Sequence, residues 1–138
     1  MTLPASAGIP YRSFPSHLQL IAREKTRLVL EANRLRLQQQ FRTAADHFAQ
    51  AARYEQQLAD WADMEQLRDL SYLHRFSAVS CWAQAGDPYR ALLLIQQMLT
   101  IMTLNQKQYE QLQAFRTKLE GRMIEWMGQW TSPELEYA

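Results

Sequence analysis

The sequence has few of the residues that build disulfide frameworks, tight turns or membrane spans. One cysteine among 138 residues excludes an intramolecular disulfide and suits a reducing compartment, so a cytoplasmic location is expected. Only four glycines and five prolines are present, and no alternating apolar run predicts a β-strand. The longest apolar run, residues 91–95, is far short of the roughly 20 residues that cross a bilayer. These absences favour a single all-α domain, and no membrane partner is expected.

Positive and negative charge nearly balance over the chain but are unevenly distributed. The net charge is +1, which argues against a protein that binds nucleic acid by charge alone. Residues 1–45 carry seven basic and two acidic groups, hence +5, and residues 46–88 carry three basic and seven acidic groups, hence −4. This asymmetry permits an acidic protein partner, or association between copies of the chain.

Apolar residues recur at steps of three and four, which predicts about five helices. Residues 1–15 are expected to form an extended arm, residues 16–131 the helical domain and residues 132–138 a short acidic tail. Three helix starts are predicted from capping boxes, in which a polar cap is followed three residues later by glutamine. These boxes are Ser16 with Gln19, Asp63 with Gln66, and Asn105 with Gln108.

The boundary between the first two helices is open. Residues 37–40 contain no glycine or proline, so one unbroken helix from Ser16 to about Ala59 is an alternative. A turn near Gln39 is favoured, because an uncapped helix longer than about 25 residues normally indicates a coiled coil or a repeat. The second helix is then expected over residues 41–58.

A corner at Ala85-Gly86-Asp87-Pro88 separates two long apolar-periodic runs. Gly86 can take the left-handed conformation that ends a helix. Asp87 can cap the next helix, and Pro88 fits its first turn, where no backbone donor is needed. The two runs therefore predict a helical hairpin, with apolar residues on two sides of the helix before the corner.

Two segments resemble the tetratricopeptide repeat family. The spacing Phe41-x2-Ala44-x3-Phe48-x2-Ala51 resembles the second helix of that repeat. The corner that begins at Gly86 and reaches Ala91 is similar to the family's inter-helix turn, Gly-Asp-x-x-x-Ala. Ala44 and Ala91 are 47 residues apart, against a usual period of about 34, so the resemblance is to divergent members with long repeats. It implies a short solenoid of stacked antiparallel hairpins that binds another protein.

No residue set in the sequence indicates a catalytic or metal centre. His17, His47 and His74 are too far apart in sequence for two ligands on one helix, so no metal is expected. His74 and Cys81 are separated by ~10 Å of helical rise, which is too far for a thiolate–imidazole pair. Cys81 is therefore interpreted as a core residue.

Asp60 and Asp63 flank Trp61 at the expected end of the second helix. They could form a carboxylate pair for acid–base chemistry, but one of them would have to be desolvated, and a capping role is favoured. We therefore predict that the chain is not an enzyme and needs no cofactor.

The predicted function is non-catalytic protein binding, as an adaptor, a dedicated chaperone or a small subunit of a larger assembly. The partner would be a helix or extended segment, acidic or amphipathic. Five basic residues are assigned to the outer face of helix 1: Arg23, Lys25, Arg27, Arg34 and Arg36. The predicted partner-binding residues are Arg23, Arg27, Arg34, Tyr72, Arg75, Phe76, Trp126 and Trp130. Two alternatives stay open: a homodimeric helical bundle with a structural role, and a nucleic-acid-associated accessory protein that uses the basic face of helix 1.

Overall fold

The computed structural model describes residues 14–131, with side chains from residue 14 to residue 125. Five helices follow one another: α1 (Ser16–Leu37), α2 (Phe41–Met64), α3 (Arg68–Gln84), α4 (Pro88–Ile101) and α5 (Gln106–Thr131). Residues 14–131 contain no strand, so the predicted all-α class is confirmed. None of these helices is long and apolar enough to cross a membrane. The predicted tail and most of the predicted arm lie outside the described residues.

The chain divides into two compact units, Met1–Asp87 and Pro88–Ala138. In the first unit α1 packs against α2, and α2 packs against α3. In the second unit α4 packs against α5. The corner at Gly86 therefore falls at the boundary between the units.

The first three helices end in the same way, with a residue of left-handed backbone conformation two positions after the last helical residue. The φ angles are 61° at Gln39, 60° at Gln66 and 77° at Gly86. The left-handed residue donates its amide to the carbonyl three positions before it, and the next residue donates to the carbonyl five positions before it. This pair of hydrogen bonds is the Schellman motif. The bonds are Gln40 N to Leu35 O and Gln39 N to Arg36 O, Leu67 N to Ala62 O and Gln66 N to Asp63 O, and Asp87 N to Trp82 O and Gly86 N to Ala83 O. The predicted turn near Gln39 is confirmed, and the unbroken helix is wrong.

Of the three predicted capping boxes, the structure contains one. Asn105 Oδ1 accepts from the amide of Gln108 at 2.8 Å, and Gln108 Oε1 accepts from the amide of Asn105 at 3.2 Å, which confirms that capping box. The box at Ser16 is wrong, because the cap position is Pro15 and the Gln19 side chain donates to a backbone carbonyl instead. The box at Asp63 is also wrong, because the buried face of α2 continues through Ala62 and carries the helix to Met64.

Within the first unit, α2 has a neighbouring helix on each of two sides. Its buried face is rich in alanine, and small side chains let neighbouring helices approach closely. The members of this face that are 1% exposed or less are Ala44, Phe48, Ala51, Ala52, Glu55, Leu58, Ala59 and Ala62. Contacts of Lys25 with Glu55 and of Arg36 with the ring of Phe48 show that α1 and α2 run antiparallel.

Phe14, just before α1, is buried at one end of this unit. It packs with Leu18, Ala22 and Leu58. The centroids of the Phe14 and Trp61 rings lie 4.8 Å apart in an edge-to-face arrangement. Leu70 of α3 packs against the same cluster. The end of the predicted arm is thereby anchored to a core shared by α1, α2 and α3.

The second unit buries one side of each of its helices. The buried residues of α4 recur at steps of three, one and three, and those of α5 lie seven residues apart, as expected for one face of a helix. They are Ala91, Leu94, Ile95 and Met98 in α4, and Leu112 and Leu119 in α5.

Candidate functional site

The outer face of α1 carries a line of leucine and arginine residues at alternating steps of three and four. This spacing places all of them on one side of the helix. We call this line the α1 stripe: Leu20, Arg23, Arg27, Leu30, Arg34 and Leu37. The residues that α1 buries lie on the opposite side: Leu18, Ala22, Leu28, Ala32 and Leu35. The α1 stripe therefore points away from the core of its unit.

The three leucines of the α1 stripe are strongly exposed. Leu20 is 64% exposed, Leu30 is 67% exposed and Leu37 is 87% exposed. A single exposed leucine is ordinary on a protein surface, because apolar atoms make up more than half of that surface. Three exposed leucines lie along about 26 Å of one helix with arginines between them, and a row of exposed apolar side chains is the kind of surface that marks an interaction site.

Two arginines of the α1 stripe are held by glutamates of the same helix. Arg27 makes a two-pronged contact with Glu24, with its Nε donating to Oε2 at 2.9 Å. Arg34 contacts Glu31 in the same way, again at 2.9 Å from Nε to Oε2. These hydrogen bonds lower the pKa of both glutamate carboxyls and raise the pKa of both arginines. Glutamates therefore flank two of the three arginines of the stripe, and this side of α1 is not uniformly basic.

Tyr72 and Phe76, predicted to contact a partner, form a ring pair on α3. Their centroids lie 5.9 Å apart with the rings stacked. Tyr72 is only 7% exposed, and burial raises the pKa of its hydroxyl. Tyr72 is therefore part of the core in this conformation, and Phe76 is half-buried beside it.

Arg75, the third residue predicted on α3, joins α3 to the end of α2. Its Nη2 donates to Asp60 at 3.1 Å and also contacts Asp63. Its Nε donates to Ser71 Oγ at 3.3 Å, and Ser71 donates to Asp63. The guanidinium is thus committed to contacts within the unit.

The same network lowers the pKa of Asp63. Burial alone would raise the pKa of Asp63, but the hydrogen bonds from Ser71 and Arg75 outweigh it, and the pKa is lowered. An ionised carboxylate that is hydrogen-bonded to an arginine is a poor general acid. Asp63 therefore joins the end of α2 to α3 as an ionised carboxylate, through Ser71 and Arg75.

A buried acid, missed in the sequence, lies at the centre of the first unit. Glu55 of α2 is 1% exposed. Lys25 of α1 places Nζ 3.0 Å from Glu55 Oε1, and His74 of α3 places Nδ1 3.1 Å from Glu55 Oε2. One carboxylate thus contacts a nitrogen from each neighbouring helix. The assignment of Lys25 to the outer face is wrong, because the residue lies in phase with the buried residues Ala22 and Leu28. The same assignment is wrong for Arg36, which contacts the Phe48 ring of α2 and donates to Gln84 of α3.

The two oxygens of Glu55 are held differently. Oε2 is within hydrogen-bond distance of the imidazole. The ammonium of Lys25 lies close to Oε1 but at an angle unsuited to a hydrogen bond, so Oε1 accepts none from the described residues. The Lys25–Glu55 contact is therefore a charge pair, and its strength depends on both groups being ionised.

Cys81 is buried near this charge cluster. Burial is the main cause that raises the pKa of its thiol to about 11, and the charge of Glu55 adds to this while Lys25 opposes it. Only the thiolate is nucleophilic, so the thiol is inert near neutral pH. The interpretation of Cys81 as a core residue is confirmed.

Two further predictions concern metal ligands and the end of the last helix. No three histidine, cysteine, aspartate or glutamate residues between residues 14 and 125 are grouped so as to hold a metal ion. The side chains of Trp126 and Trp130, predicted as a docking patch, lie outside the described residues.

Comparisons with known proteins provide no relative for this arrangement. The chain matches no protein-family model, no curated protein and no solved structure. Function is therefore argued from the residues and their geometry.

Proposed function

We propose that this chain is a non-catalytic protein-interaction module that binds an amphipathic helix along the α1 stripe. One observation carries the proposal: the exposed leucines Leu20, Leu30 and Leu37 lie on one line with Arg23, Arg27 and Arg34 between them. An amphipathic helix binds by burying its apolar side against apolar residues of its partner.

The apolar and charged residues of the stripe would have different roles. Burying the leucines supplies affinity, because it removes apolar surface from water. Solvent-exposed ion pairs contribute little net free energy, but they penalise a partner of the wrong charge. A partner helix with acidic residues beside its apolar line can share Arg27 and Arg34 with Glu24 and Glu31. A strongly basic partner would instead place its positive charges beside the arginines of the stripe.

The tetratricopeptide-like stacking and the cytoplasmic location belong to the same proposal. Successive helices α1, α2 and α3 pack in chain order, which supports a repeat-like arrangement. The single buried cysteine supports a reducing compartment. Tyr72 and Arg75 have no part in the proposed surface, because the first is buried and the second is bound by Asp60 and Asp63.

A matched pair of variants tests the proposal. Leu30→Glu combined with Leu37→Glu places charge in the stripe. Leu73→Glu is the control, because Leu73 is 58% exposed on α3, outside the stripe. Full-length wild type, variant and control are each used for quantitative affinity purification from the source organism. Circular dichroism first establishes that all three have equal helix content.

The proposal predicts at least one protein that wild type and the Leu73→Glu control retain equally and that the stripe variant loses by about tenfold or more, equivalent to 1.4 kcal/mol. Equal recovery of every specific partner by the stripe variant would overturn it. Nuclease-sensitive retention on nucleic acid, lost with Arg23→Glu, would instead favour the accessory-protein alternative.

A further inference from the structure

We infer that the α1 stripe pairs with the α1 stripe of a second copy of this chain, in antiparallel orientation. The inference rests on the proposed function, since it requires the stripe to be an interaction surface, and it identifies the partner as the chain itself. Its basis is that the order of leucine, arginine and glutamate along α1 is complementary to its own reverse.

Antiparallel pairing brings the leucines at the two ends of the stripe together. When two copies of α1 are aligned with opposite directions, Leu20 of one copy lies opposite Leu37 of the other, at both ends of the paired region. In the same register, Leu30 lies opposite the aliphatic stem of Arg27. Arginine stems can cover apolar surface while the guanidinium stays in water. The three strongly exposed leucines of α1 (Leu37, 87%; Leu30, 67%; Leu20, 64%) are thereby all covered.

The same register matches the charges along one edge of the pair. Arg27 of one copy comes within one residue of direct opposition to Glu31 of the other, and Arg34 comes equally close to Glu24. The twofold axis doubles both contacts. Each of these glutamates already holds an arginine of its own helix, so every carboxylate would lie between two guanidinium groups. Alternating charges on that edge therefore attract in the antiparallel register.

A parallel pair lacks this match. Identical residues would then face each other. Each of Arg23, Arg27 and Arg34 would lie opposite its own counterpart in the second copy, so that like charges meet. In the antiparallel register only Arg23 and Arg34 are directly opposed, and Arg34 is bound by Glu31. Orientation is therefore set by charge, and isologous pairing closes the assembly at two copies.

The dimer is expected to be weak. The three arginines and two glutamates of this face leave a net charge of +1 on each copy, so two faces repel slightly. The helix has 22 residues, or about 33 Å, which gives one helix–helix contact rather than a broad interface. Association should therefore be concentration-dependent and reversible.

Engineered disulfides test the register in the full-length chain. Cys81, the sole cysteine, is replaced by alanine, and Leu20→Cys and Leu37→Cys are made separately in that background. The two variants are then mixed and oxidised under mild conditions. We expect a covalent dimer at least tenfold more abundant in the mixture than in either variant alone, and peptide mapping should identify a bond between positions 20 and 37. A Leu73→Cys variant measures random collision.

Three results overturn the inference: dimer no more abundant than with Leu73→Cys, a position 20–position 20 bond as the main product, or equal dimer in each separate variant. Sedimentation of the cysteine-containing chain provides a second readout if the Cys81→Ala background does not fold. There, wild type should dimerise with rising concentration and Leu30→Glu should stay monomeric. A wild-type chain that stays monomeric also overturns the inference.

These outcomes are separable from the proposed function. If the chain is monomeric but the Leu30→Glu and Leu37→Glu variant loses a different protein, the stripe is an interaction surface for an unrelated helix and self-pairing is wrong. If Leu30→Glu changes neither association nor partner recovery, both proposals are wrong.

Discussion

Glu55 Oε2 and His74 Nδ1 lie 3.1 Å apart inside the first unit, and the other oxygen of the same carboxylate lies 3.0 Å from Lys25 Nζ. One side chain of α2 thereby connects to both of its neighbouring helices. A buried carboxylate is tolerated only when its charge is compensated, because transfer of an ion out of water is costly. Removing the lysine alone should therefore cost more stability than removing the lysine and the carboxylate together.

Lys25→Met should destabilise the protein more than the paired change Lys25→Met with Glu55→Met. The single change leaves a buried carboxylate with only the imidazole beside it and should lower the free energy of unfolding by about 2 kcal/mol, somewhat below the range for fully buried pairs because Lys25 is 26% exposed. The double change removes the charge as well and should recover at least half of the loss. Urea denaturation followed by circular dichroism at pH 7 measures both.

Arg27→Met is the control for that comparison. Its ion pair with Glu24 is exposed on both sides, and exposed pairs contribute little, so its unfolding midpoint should stay near the wild-type value. A double variant that is less stable than Lys25→Met alone would contradict the view that an uncompensated charge causes the loss.

Asp63→Asn should weaken the dependence of stability on acid. The pKa of Asp63 is lowered in the folded state from its ordinary value of 3.8, so the unfolded chain takes up the proton first as the pH falls. Its contribution is therefore complete above about pH 4 and is lost as the pH falls through the lower folded value. Wild type should lose more stability than Asp63→Asn between pH 4 and pH 2.

Arg75→Met provides the matching control for the acid prediction. It removes one hydrogen bond that lowers the pKa of Asp63, so its acid profile should move toward that of Asp63→Asn. Thermal unfolding at a series of pH values measures all three proteins. Parallel profiles for wild type and Asp63→Asn would show that Asp63 is not linked to folding.

The helix corners show where sequence reasoning succeeded and where it could not. Gly86 predicts the end of α3 from residue type alone, because glycine takes positive φ without a steric cost. Gln39 and Gln66 adopt nearly the same conformation, with φ of 61° and 60°, yet glutamine carries no turn signal. The end of α1 was therefore left open in the sequence, and the end of α2 was placed six residues early. These corners are fixed by the packing of the helices they join and not by local preference.

Glycine at the two glutamine corners should stabilise the protein. A non-glycine residue in the left-handed region is strained by about 1 kcal/mol, and part of this is offset because glycine makes the unfolded chain more flexible. Gln39→Gly and Gln66→Gly should each raise the free energy of unfolding by about 0.5 kcal/mol. Gly86→Ala should lower it by about 1 kcal/mol, since a Cβ there meets no atom within 4 Å and only the backbone is strained.

Gln97→Gly is the control for the corner substitutions. It lies on the exposed side within α4, where glycine should cost about 1 kcal/mol. Chemical denaturation of the four variants shows whether each substitution raises or lowers the free energy of unfolding. Destabilisation by Gln39→Gly as large as that by Gln97→Gly would mean that the strain at the corner is absent.

Cys81 should react with thiol reagents only through unfolding. Its pKa is raised to about 11, chiefly by burial, so almost no thiolate is present at pH 8. Because this pKa lies above the ordinary value of 9.0, the unfolded chain releases the proton first as the pH rises, and stability should fall above about pH 9. Modification rates measured across low urea concentrations should track the fraction unfolded. Rapid labelling of the native chain at pH 8 would contradict the buried placement.

The candidate site could be predicted only in part. Arg23, Arg27 and Arg34 were assigned to one side of α1 from helical phase, and the structure places them there. The glutamates that pair with Arg27 and Arg34 lie three residues earlier in the sequence, but the rotamers that join them could not be foreseen. The phase of Glu55, seven residues after Phe48 and three before Leu58, was the available signal for a buried acid, and it was outweighed by the expectation that charges face water.

Photo-crosslinking from the α1 stripe tests the central claim most directly. A photoreactive phenylalanine derivative is incorporated at position 30 of the full-length chain in the source organism, and at position 73 as the control. The interaction-surface account predicts a discrete adduct from position 30, absent from position 73, whose crosslinked peptide is either α1 of a second copy or a helix of one specific protein. Equal, diffuse labelling from positions 30 and 73, or no adduct from position 30 while the chain is folded, would contradict it.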